Sequence, residues 1–316
     1  MTGTIITYEG RVYELPTPLA WKFEYACGVP CDSFWLELPW QEGEEEIYRK
    51  AVKFTAREDG EPVFTGIIDE TEWIRDGRGS RVTVSGRSMA ALLLDNEAEA
   101  ADYGTATLAD ILAHHVVPYG IETVQDGGIP PCQNFSVASG SSRWQVVYDF
   151  VRYHGKIPPR VDRKGRLVLT PFEDSSVKML DDSVPVTAFV GREKRYGVLS
   201  EILVRDKKRK TQERVVNEEF IQQGGQARRI LTMTGSPGQR AMRYSGQFQL
   251  EKAEAQRRRL ELTVPALFFA WPGELIRISR TGCKDNGLWR VLETAVTRNG
   301  KGDETRLVLG LPDTTV

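Results

Sequence analysis

A short passage near the start of the chain recurs near its end. Residues 69–79 read DETEWIRDGRG and residues 292–302 read LETAVTRNGKG, at a constant offset of 223 (293 − 70) from Glu70 to Glu293. Each copy leads into an alternating strand, RVTVSG in the first and RLVLGL in the second. Asp-Gly and Asn-Gly are the strongest short signals of a hairpin turn. The repeat predicts two similar β units in one chain, although two unrelated hairpins with glycine turns would also produce it.

Two copies of one unit in a chain restrict the assemblies that the chain can form. Closed rings need repeated, self-compatible interfaces. A chain that contains one barrel twice can therefore place six barrels in a ring with only three chains.

Length and charge narrow the class of protein. A chain of 316 residues suggests two or three domains. A net charge of −2 creates no strong pull toward nucleic acid or anionic membranes, so no sequence-specific nucleic-acid binding is expected. No apolar run is long enough to span a bilayer, and the first residues lack the basic start and apolar stretch of a secretory signal. We expect a protein that is made in a cytoplasm and has no membrane span.

The residue pattern divides the chain into three parts. Residues 1–95 and 191–316 show the period-two alternation and glycine turns of a barrel or sandwich, and Gly66 invites a bulge or strong curvature. Residues 96–190 predict a small α+β domain. The segment 221–246, rich in Gly and Gln, predicts a loop excursion. The predicted fold class is a β-rich α+β multidomain protein.

Helix signals are few and local. Ser88 is predicted to cap a short helix, and Thr107 and Ser142 are predicted to cap two more in the middle part. Residues 250–260 predict a short amphipathic helix just before the last strands.

The chain shows no persuasive catalytic or metal-binding constellation. Cys27 and Cys31 could pair with each other or begin a metal site with His114 and His115, but a second close cysteine pair is missing, so reduced thiols are expected. No HExxH, Walker or GxSxG motif is present. We predict no enzyme activity, no cofactor and no metal. Two carboxylates far apart in sequence, as a glycosidase uses, would escape such a search.

Four passages occur in an order that is typical of one family. They are GVPCDSFWLELPW from Gly28, VFTGIIDETEW with RVTVSGRSMAALLLD from Val63, SGSSRWQVVYDFVRYHGKIPPRVDRKGRLVLTP, and a C-terminal Pro-Gly, Trp-Arg-Val, Asn-Gly and LVL pattern. In this order the chain resembles the baseplate hub proteins of contractile phage tails, which include Mu-type tail proteins, late control D proteins, and the hubs of Gram-positive prophages and tailocins. Larger hubs carry an inserted domain where this chain has only residues 221–246.

The resemblance implies two similar tube-like β-barrel domains with a small α+β domain between them. It implies a homotrimer that forms a pseudo-sixfold ring, with the tail tube on one side and the spike on the other. Other baseplate proteins and the tape-measure protein would be further partners. Such a hub assembles in the bacterial cytoplasm and then belongs to a virion or tailocin baseplate.

The repeated hairpins and the passage at residues 86–88 are the predicted interface elements, and unpaired barrel edges are expected to be covered by a neighbouring protomer or the next ring. The candidate interface residues are Ile67, Glu70, Arg75, Gly77, Arg87, Ser88, Arg298, Gly300 and Leu307. A tail-associated peptidoglycan hydrolase and a carbohydrate-binding adhesion module are the alternative functions. The second would need exposed aromatic platforms, whereas most of the seven tryptophans lie in core patterns.

Overall fold

The structure is a computed structural model that describes residues 1–77, 79–174, 177–206, 210–233 and 239–314. The first part of the chain is built almost entirely of strands. They are β1 (Thr2–Thr7), β2 (Val12–Glu14), β3 (Ala20–Ala26), β4 (Ser33–Pro39), β5 (Ala51–Glu58), β6 (Glu61–Asp76) and β7 (Gly79–Ser88), with helix α1 (Glu45–Lys50) between β4 and β5.

Alternation along these strands produces an aromatic core. Successive strand side chains point to opposite faces, so every second residue of β3 and β4 turns inward. The ring centroids of Phe34 and Phe54 lie 4.4 Å apart, and those of Phe23 and Phe64 lie 5.6 Å apart. All four rings are buried, so the first part has a core of its own.

The middle part contains most of the helices and a second core. Its elements are α2 (Ala91–Leu94), β8 (Ala101–Ala106), α3 (Leu108–His115), a 3₁₀ turn (Val117–Tyr119), β9 (Thr123–Gln125), β10 (Cys132–Val137), α4 (Arg143–Gly155), β11 (Arg160–Val161) and β12 (Leu167–Leu169). Helices α3 and α4 pack on the short strands through Ile111, Val147 and Phe150.

Two of the three predicted helix caps are confirmed. The Thr107 hydroxyl accepts a hydrogen bond from the backbone N–H of Asp110, and the Asp110 carboxylate accepts one from the backbone N–H of Thr107, which completes a capping box. The Ser142 hydroxyl accepts from the N–H of Gln145. The prediction for Ser88 was wrong, because this residue ends β7 and its hydroxyl accepts from the backbone N–H of Asp32 at 3.2 Å. Helix α2 follows without a side-chain cap.

The last part returns to strands. Its elements are β13 (Val177–Asp181), β14 (Ala188–Glu193), β15 (Glu201–Asp206), β16 (Gln212–Val216), α5 (Glu218–Gln222), β17 (Arg228–Met233), α6 (Gln239–Glu254), β18 (Arg258–Val264), β19 (Leu275–Ser279), β20 (Gly287–Asn299) and β21 (Gly302–Gly310). Strand β13 lies within the predicted middle domain and β14 crosses its boundary at residue 190, but the two pair with the C-terminal strands β19 and β18.

A small α/β insertion lies between β14 and β18. Strands β15, β16 and β17 form their own sheet, and α6 covers it through Met242 and Leu250. The loop predicted over residues 221–246 was therefore wrong for its described residues, which contain β17 and the first half of α6. The helix predicted over residues 250–260 ends at Glu254, and after a turn the chain forms β18, which pairs with both β14 and β21. Residues 234–238 lie outside the described part of the chain.

One continuous sheet joins the two ends of the molecule. Among the described residues it contains 13 strands, with the main order β14-β18-β21-β20-β3-β4-β7-β6-β5-β1-β2 and with β19 and β13 attached beside β20. One edge of strand β20 pairs with two different strands. Its first residues pair with β19, and its later residues pair with β3 from the opposite end of the chain.

Close strand packing requires glycine at two positions of the first hairpin. A β-carbon added at Gly86 would lie 2.0 Å from the carbonyl oxygen of Ile67, and one at Gly66 would lie 2.1 Å from that of Arg87. The predicted bulge is not at Gly66 itself, since the register of β6 and β7 shifts between Ile68 and Glu70. Glycine instead lets the backbones approach just before the bulge.

We predict that Gly86→Ala destabilises the protein on the order of 3 kcal/mol, because the new methyl group overlaps a backbone oxygen that cannot move freely. Gly104→Ala is the matched control in another strand, since a β-carbon there meets nothing within 4 Å. Urea unfolding of both variants measures the difference. Equal stability of the two variants would contradict the close packing at Gly86.

Candidate assembly interface

The two repeated hairpins share one register. Nine pairs of the β6–β7 ladder, from Ile67–Arg87 to Asp76–Gly79, correspond to the nine pairs of the β20–β21 ladder, from Arg290–Gly310 to Asn299–Gly302. Each of these nine pairs in the first hairpin maps onto a pair in the second at the offset found in the sequence. The bulge falls at equivalent residues, Asp69 and Leu292. The sequence repeat is therefore a repeat of hairpin structure.

The equivalence extends from the hairpins to five strands. We call β3, β4, β7, β6 and β5 the first five-strand unit, and β14, β18, β21, β20 and β19 the second. Both have this spatial order and antiparallel pairing throughout. Leu36 faces Val84 in the first unit as Leu262 faces Leu307 in the second. The units differ beyond their last strand, where β1 is antiparallel to β5 but β13 is parallel to β19.

The two units meet along β3 and β20, and we call this junction the seam. Six residue pairs run antiparallel from Glu293–Ala26 to Arg298–Trp21. Val296 lies opposite Phe23, and both side chains are buried in the aromatic core of the first unit. The Arg298 guanidinium lies over the Trp21 ring at 5.8 Å. The seam thus combines a backbone ladder with a shared core.

The connection between β18 and β19 also crosses the seam. Trp271 meets the ring of Tyr25 edge-on, with 5.0 Å between the centroids. The Thr294 hydroxyl on β20 donates to the carbonyl oxygen of Ala270 at 2.5 Å. Residues of the second unit therefore cover the first unit's core.

Four of the predicted interface residues lie exposed on hairpins or their turns. Glu70, Arg75 and Gly77 belong to the first hairpin, and Gly300 forms the turn of the second. The side chain of Arg75 lies 5.4 Å from the centroid of the Trp40 ring.

The other predicted residues are partly or fully buried within the chain. Leu307 belongs to the core of the second unit and Ser88 is fully enclosed, whereas Ile67 packs against the core of the middle part. Arg298 is partly buried and pairs with Asp303 at 2.7 Å. These side chains hold the hairpins in shape, and a role at an interface between chains stays a proposal.

Arg87 clamps the bulge of the first hairpin to the middle part. Its Nε donates to Asp69, the bulged residue, at 2.7 Å, and its Nη2 donates to Asp95 after α2 at 2.7 Å. The hydrogen bonds from Arg87 lower the pKa of Asp95. Charge-assisted pairs with two donors fix geometry as well as energy, so the bulge and α2 are held in one arrangement.

Sequence reasoning missed a carboxyl group beneath the seam. Asp32 is partly buried beside a cavity of about 170 Å³ that is also lined by Tyr25, Arg163 and Trp271. Burial raises the pKa of Asp32 to about 7, and a hydrogen bond from the backbone N–H of Ala26 opposes this only in part. A single aspartate at the start of a strand carries no sequence signal for such an environment.

The cysteine that lines this cavity is not an activated nucleophile. Burial raises the pKa of the Cys27 thiol to about 12, so this thiol stays protonated near neutral pH. All four cysteines are free. Within the described ranges, no cluster of three His, Cys, Asp or Glu side chains could hold a metal ion. None of the described helices is long and apolar enough to cross a membrane.

No family model and no curated protein matches this sequence. Solved structures do match it along its length. The prophage MuSo2 43 kDa tail protein from Shewanella oneidensis is 18% identical, with a TM-score of 0.77 and 100% of both chains covered. A tail protein from Neisseria meningitidis MC58 is 16% identical, with a TM-score of 0.80 and 99% of both chains covered.

A more distant match lies outside phages. An Escherichia coli component of the type VI secretion system, itself structurally similar to T4 bacteriophage tail proteins gp27 and gp5, is 9% identical with a TM-score of 0.55. The match covers 93% of this chain and 73% of that one. The chain therefore has the fold of phage tail and baseplate proteins, and the resemblance found in the sequence is confirmed at the level of the fold.

We predict that Asp32 makes stability depend on pH. The pKa of Asp32 is about 7 in the folded protein, against 3.8 for an ordinary aspartate. The protonated carboxyl therefore contributes its full share of the free energy of unfolding below pH 4, and this contribution is lost as the pH rises through 7. Asp32→Asn should therefore gain about 1–3 kcal/mol on wild type between pH 5 and pH 8, measured by urea unfolding. Asp102→Asn, at an exposed position, is the control. An unchanged pH profile in Asp32→Asn would refute the assignment.

Proposed function

We propose that the chain is the hub of a contractile-tail baseplate, a homotrimer that joins the tail tube to the central spike. In this proposal the two five-strand units form two tube-like barrel domains, and three chains supply six of them to one ring. The observation that carries it is the five-strand unit, present twice in one chain with the same strand order and hairpin register. Two tail proteins that match the full length of the chain support the same class.

The duplicated unit lets the proposed ring contact two partners of different symmetry. A ring of six identical single-unit subunits fits a hexameric tube but offers a trimeric spike six equivalent positions for three subunits. A subunit with two similar units presents six nearly equivalent positions to the tube and three identical ones to the spike. The seam supplies the contact between neighbouring units within one chain, and the ring needs only one more contact of this kind for each chain.

The proposed mechanism is mechanical. The ring nucleates the tube, anchors the spike and encloses the channel, and it passes the motion of contraction to the spike. Tube protein, spike protein, other baseplate proteins and the tape-measure protein are the proposed partners, and the assembled baseplate of a phage or tailocin is the proposed location. The protonated Cys27 thiol argues against a hydrolase that uses a cysteine nucleophile.

The oligomeric state tests the proposal. Light scattering of the purified protein at increasing concentration should show a species with three times the 35.6 kDa chain mass. Adding the tail tube or spike protein of the same gene cluster should increase the fraction of this trimer. A chain that stays monomeric at high concentration, with both partners present, would refute the hub.

A peptidoglycan zymogram separates the hub from the main alternative. We expect no cleared band, because the proposed hub breaks no covalent bond. A cleared band that purified protein reproduces would favour a tail-associated hydrolase.

A further inference from the structure

Among the open strand edges of the described chain, one lies in each of the two five-strand units. Strand β14 pairs only with β18, so its outer edge is open. Residues 70–75 of β6 pair with β7 on one side, and the strand's other edge is occupied by β5 only as far as Ile67. Open edges expose backbone donors and acceptors that favour pairing with another strand.

These two open edges are equivalent to the two strand edges that pair with each other in the seam. Residues 70–75 are equivalent to residues 293–298 of β20, and β14 is equivalent to β3 through its pairing with β18. In the second unit's hairpin this edge is filled, since residues 293–298 pair with β3. Six strands separate β14 from β6 in the sheet, so one chain cannot easily bring the two edges together.

We propose that residues 70–75 of one copy pair antiparallel with residues 189–194 of the next copy, which closes the ring. This inference rests on the proposed function and names the residues of its contact between chains. The register is obtained from the seam by replacing each residue of β20 with its equivalent in β6 and each residue of β3 with its equivalent at or just after β14. The expected pairs are Glu70–Lys194, Thr71–Glu193, Glu72–Arg192, Trp73–Gly191, Ile74–Val190 and Arg75–Phe189.

Charge supports this register on one face of the junction. Alternate pairs on that face join Glu70 to Lys194 and Glu72 to Arg192, and opposite charges across a strand pair are favourable. The third pair joins Ile74 to Val190, whose side chain is 47% exposed in the single chain. Arg192 contacts Glu261 of its own chain at 2.9 Å, and both side chains are solvent-accessible, so the guanidinium can also approach Glu72.

A shifted register loses this match. A slip of two residues in one direction places Glu72 opposite Val190, and in the other direction it places Ile74 opposite Arg192. A slip of one residue would exchange the two faces of the strand. Each two-residue slip keeps only one of the two opposite-charge pairs, so the charges favour the register that the seam predicts.

Side-chain size supports the register on the other face. Gly191 lies opposite Trp73 in the proposed junction, as Phe23 lies opposite Val296 in the seam, so each pair sets a large residue against a smaller one. A β-carbon at Gly191 would come no closer than 3.7 Å to atoms of its own chain. The chain's own packing therefore does not require glycine here, and a glycine inside a strand often marks the close approach of another chain segment.

The end of the junction also matches the seam. Arg298 lies over the ring of Trp21, and the equivalent pair in the junction is Arg75 with Phe189. A guanidinium over an aromatic face is attractive when it is close to the ring. Both junctions would thus end on an arginine and an aromatic ring.

Disulfide crosslinking tests the register in the full chain. Directly opposite residues of an antiparallel pair have Cα atoms about 4.5–5.5 Å apart, which a disulfide can bridge. The double variant Ile74→Cys with Val190→Cys should therefore give mainly covalent trimers on a non-reducing gel after mild oxidation. Wild type and each single variant control for the native cysteines. Glu70→Cys with Val190→Cys, four residues out of register and about 13 Å apart, is the matched control and should not crosslink.

A charge exchange gives an independent measurement. Glu70→Lys should weaken trimer formation by about tenfold per interface, and adding Lys194→Glu should restore it. Glu99→Lys, which makes the same charge change at an exposed position of the middle part, should leave it unchanged. Failure of the second substitution to restore the trimer would overturn the pairing. Circular dichroism of each variant shows that its fold is retained.

The outcomes separate the junction from the proposed function. A trimer by light scattering that forms no crosslink between residues 74 and 190 would overturn the junction and leave the hub standing. A ladder of open crosslinked multimers would overturn the closed ring. A chain that stays monomeric with its partners present would overturn both.

Discussion

Backbone pairing between β3 and β20 is the interaction on which the rest of the structure depends. A strand edge leaves donors and acceptors that must be satisfied, and here the two ends of the chain satisfy each other along the seam. The same pairing carries Val296 into the aromatic core of the first unit. Because a backbone ladder fixes both distance and register, the two units cannot rotate against each other as beads on a linker would.

The bulges explain how one strand serves two neighbours. Before the bulge, β6 and β20 pair with β5 and β19 of their own units. After the bulge, β20 turns its edge to β3 of the other unit. A bulge bends a strand and increases its local twist. In the first hairpin Arg87 holds the bulged Asp69, whereas in the second hairpin the bulged Leu292 is buried against Gly310. The two bulges thus have the same position in their hairpins but are held by different local contacts.

The sequence was informative where the responsible interactions are local. The hairpin repeat and the caps at Thr107 and Ser142 depend on residues a few positions apart, and the structure has them as predicted. Glycine-rich composition misled the prediction for residues 221–246, because β17 gains its stability from pairing with β15.

The features that sequence reasoning missed depend on distant contacts. The seam joins residues more than 250 positions apart, as in the pair Glu293–Ala26. The environment of Asp32 arises where three parts of the chain meet, and the pairing of β14 with β18 crosses the whole α/β insertion. Alternation along a strand indicates which side chains point inward, but it does not indicate which strand lies beside it.

The position of the α/β insertion has a further consequence. It leaves the sheet after Glu193 and returns at Arg258, and these two residues face each other across the β14–β18 ladder. The insertion is therefore an elaborated hairpin tip, and its length has no bearing on the register of the strands that flank it. This appendage can therefore lengthen, shorten or be exchanged without disturbing the ladder from which it emerges.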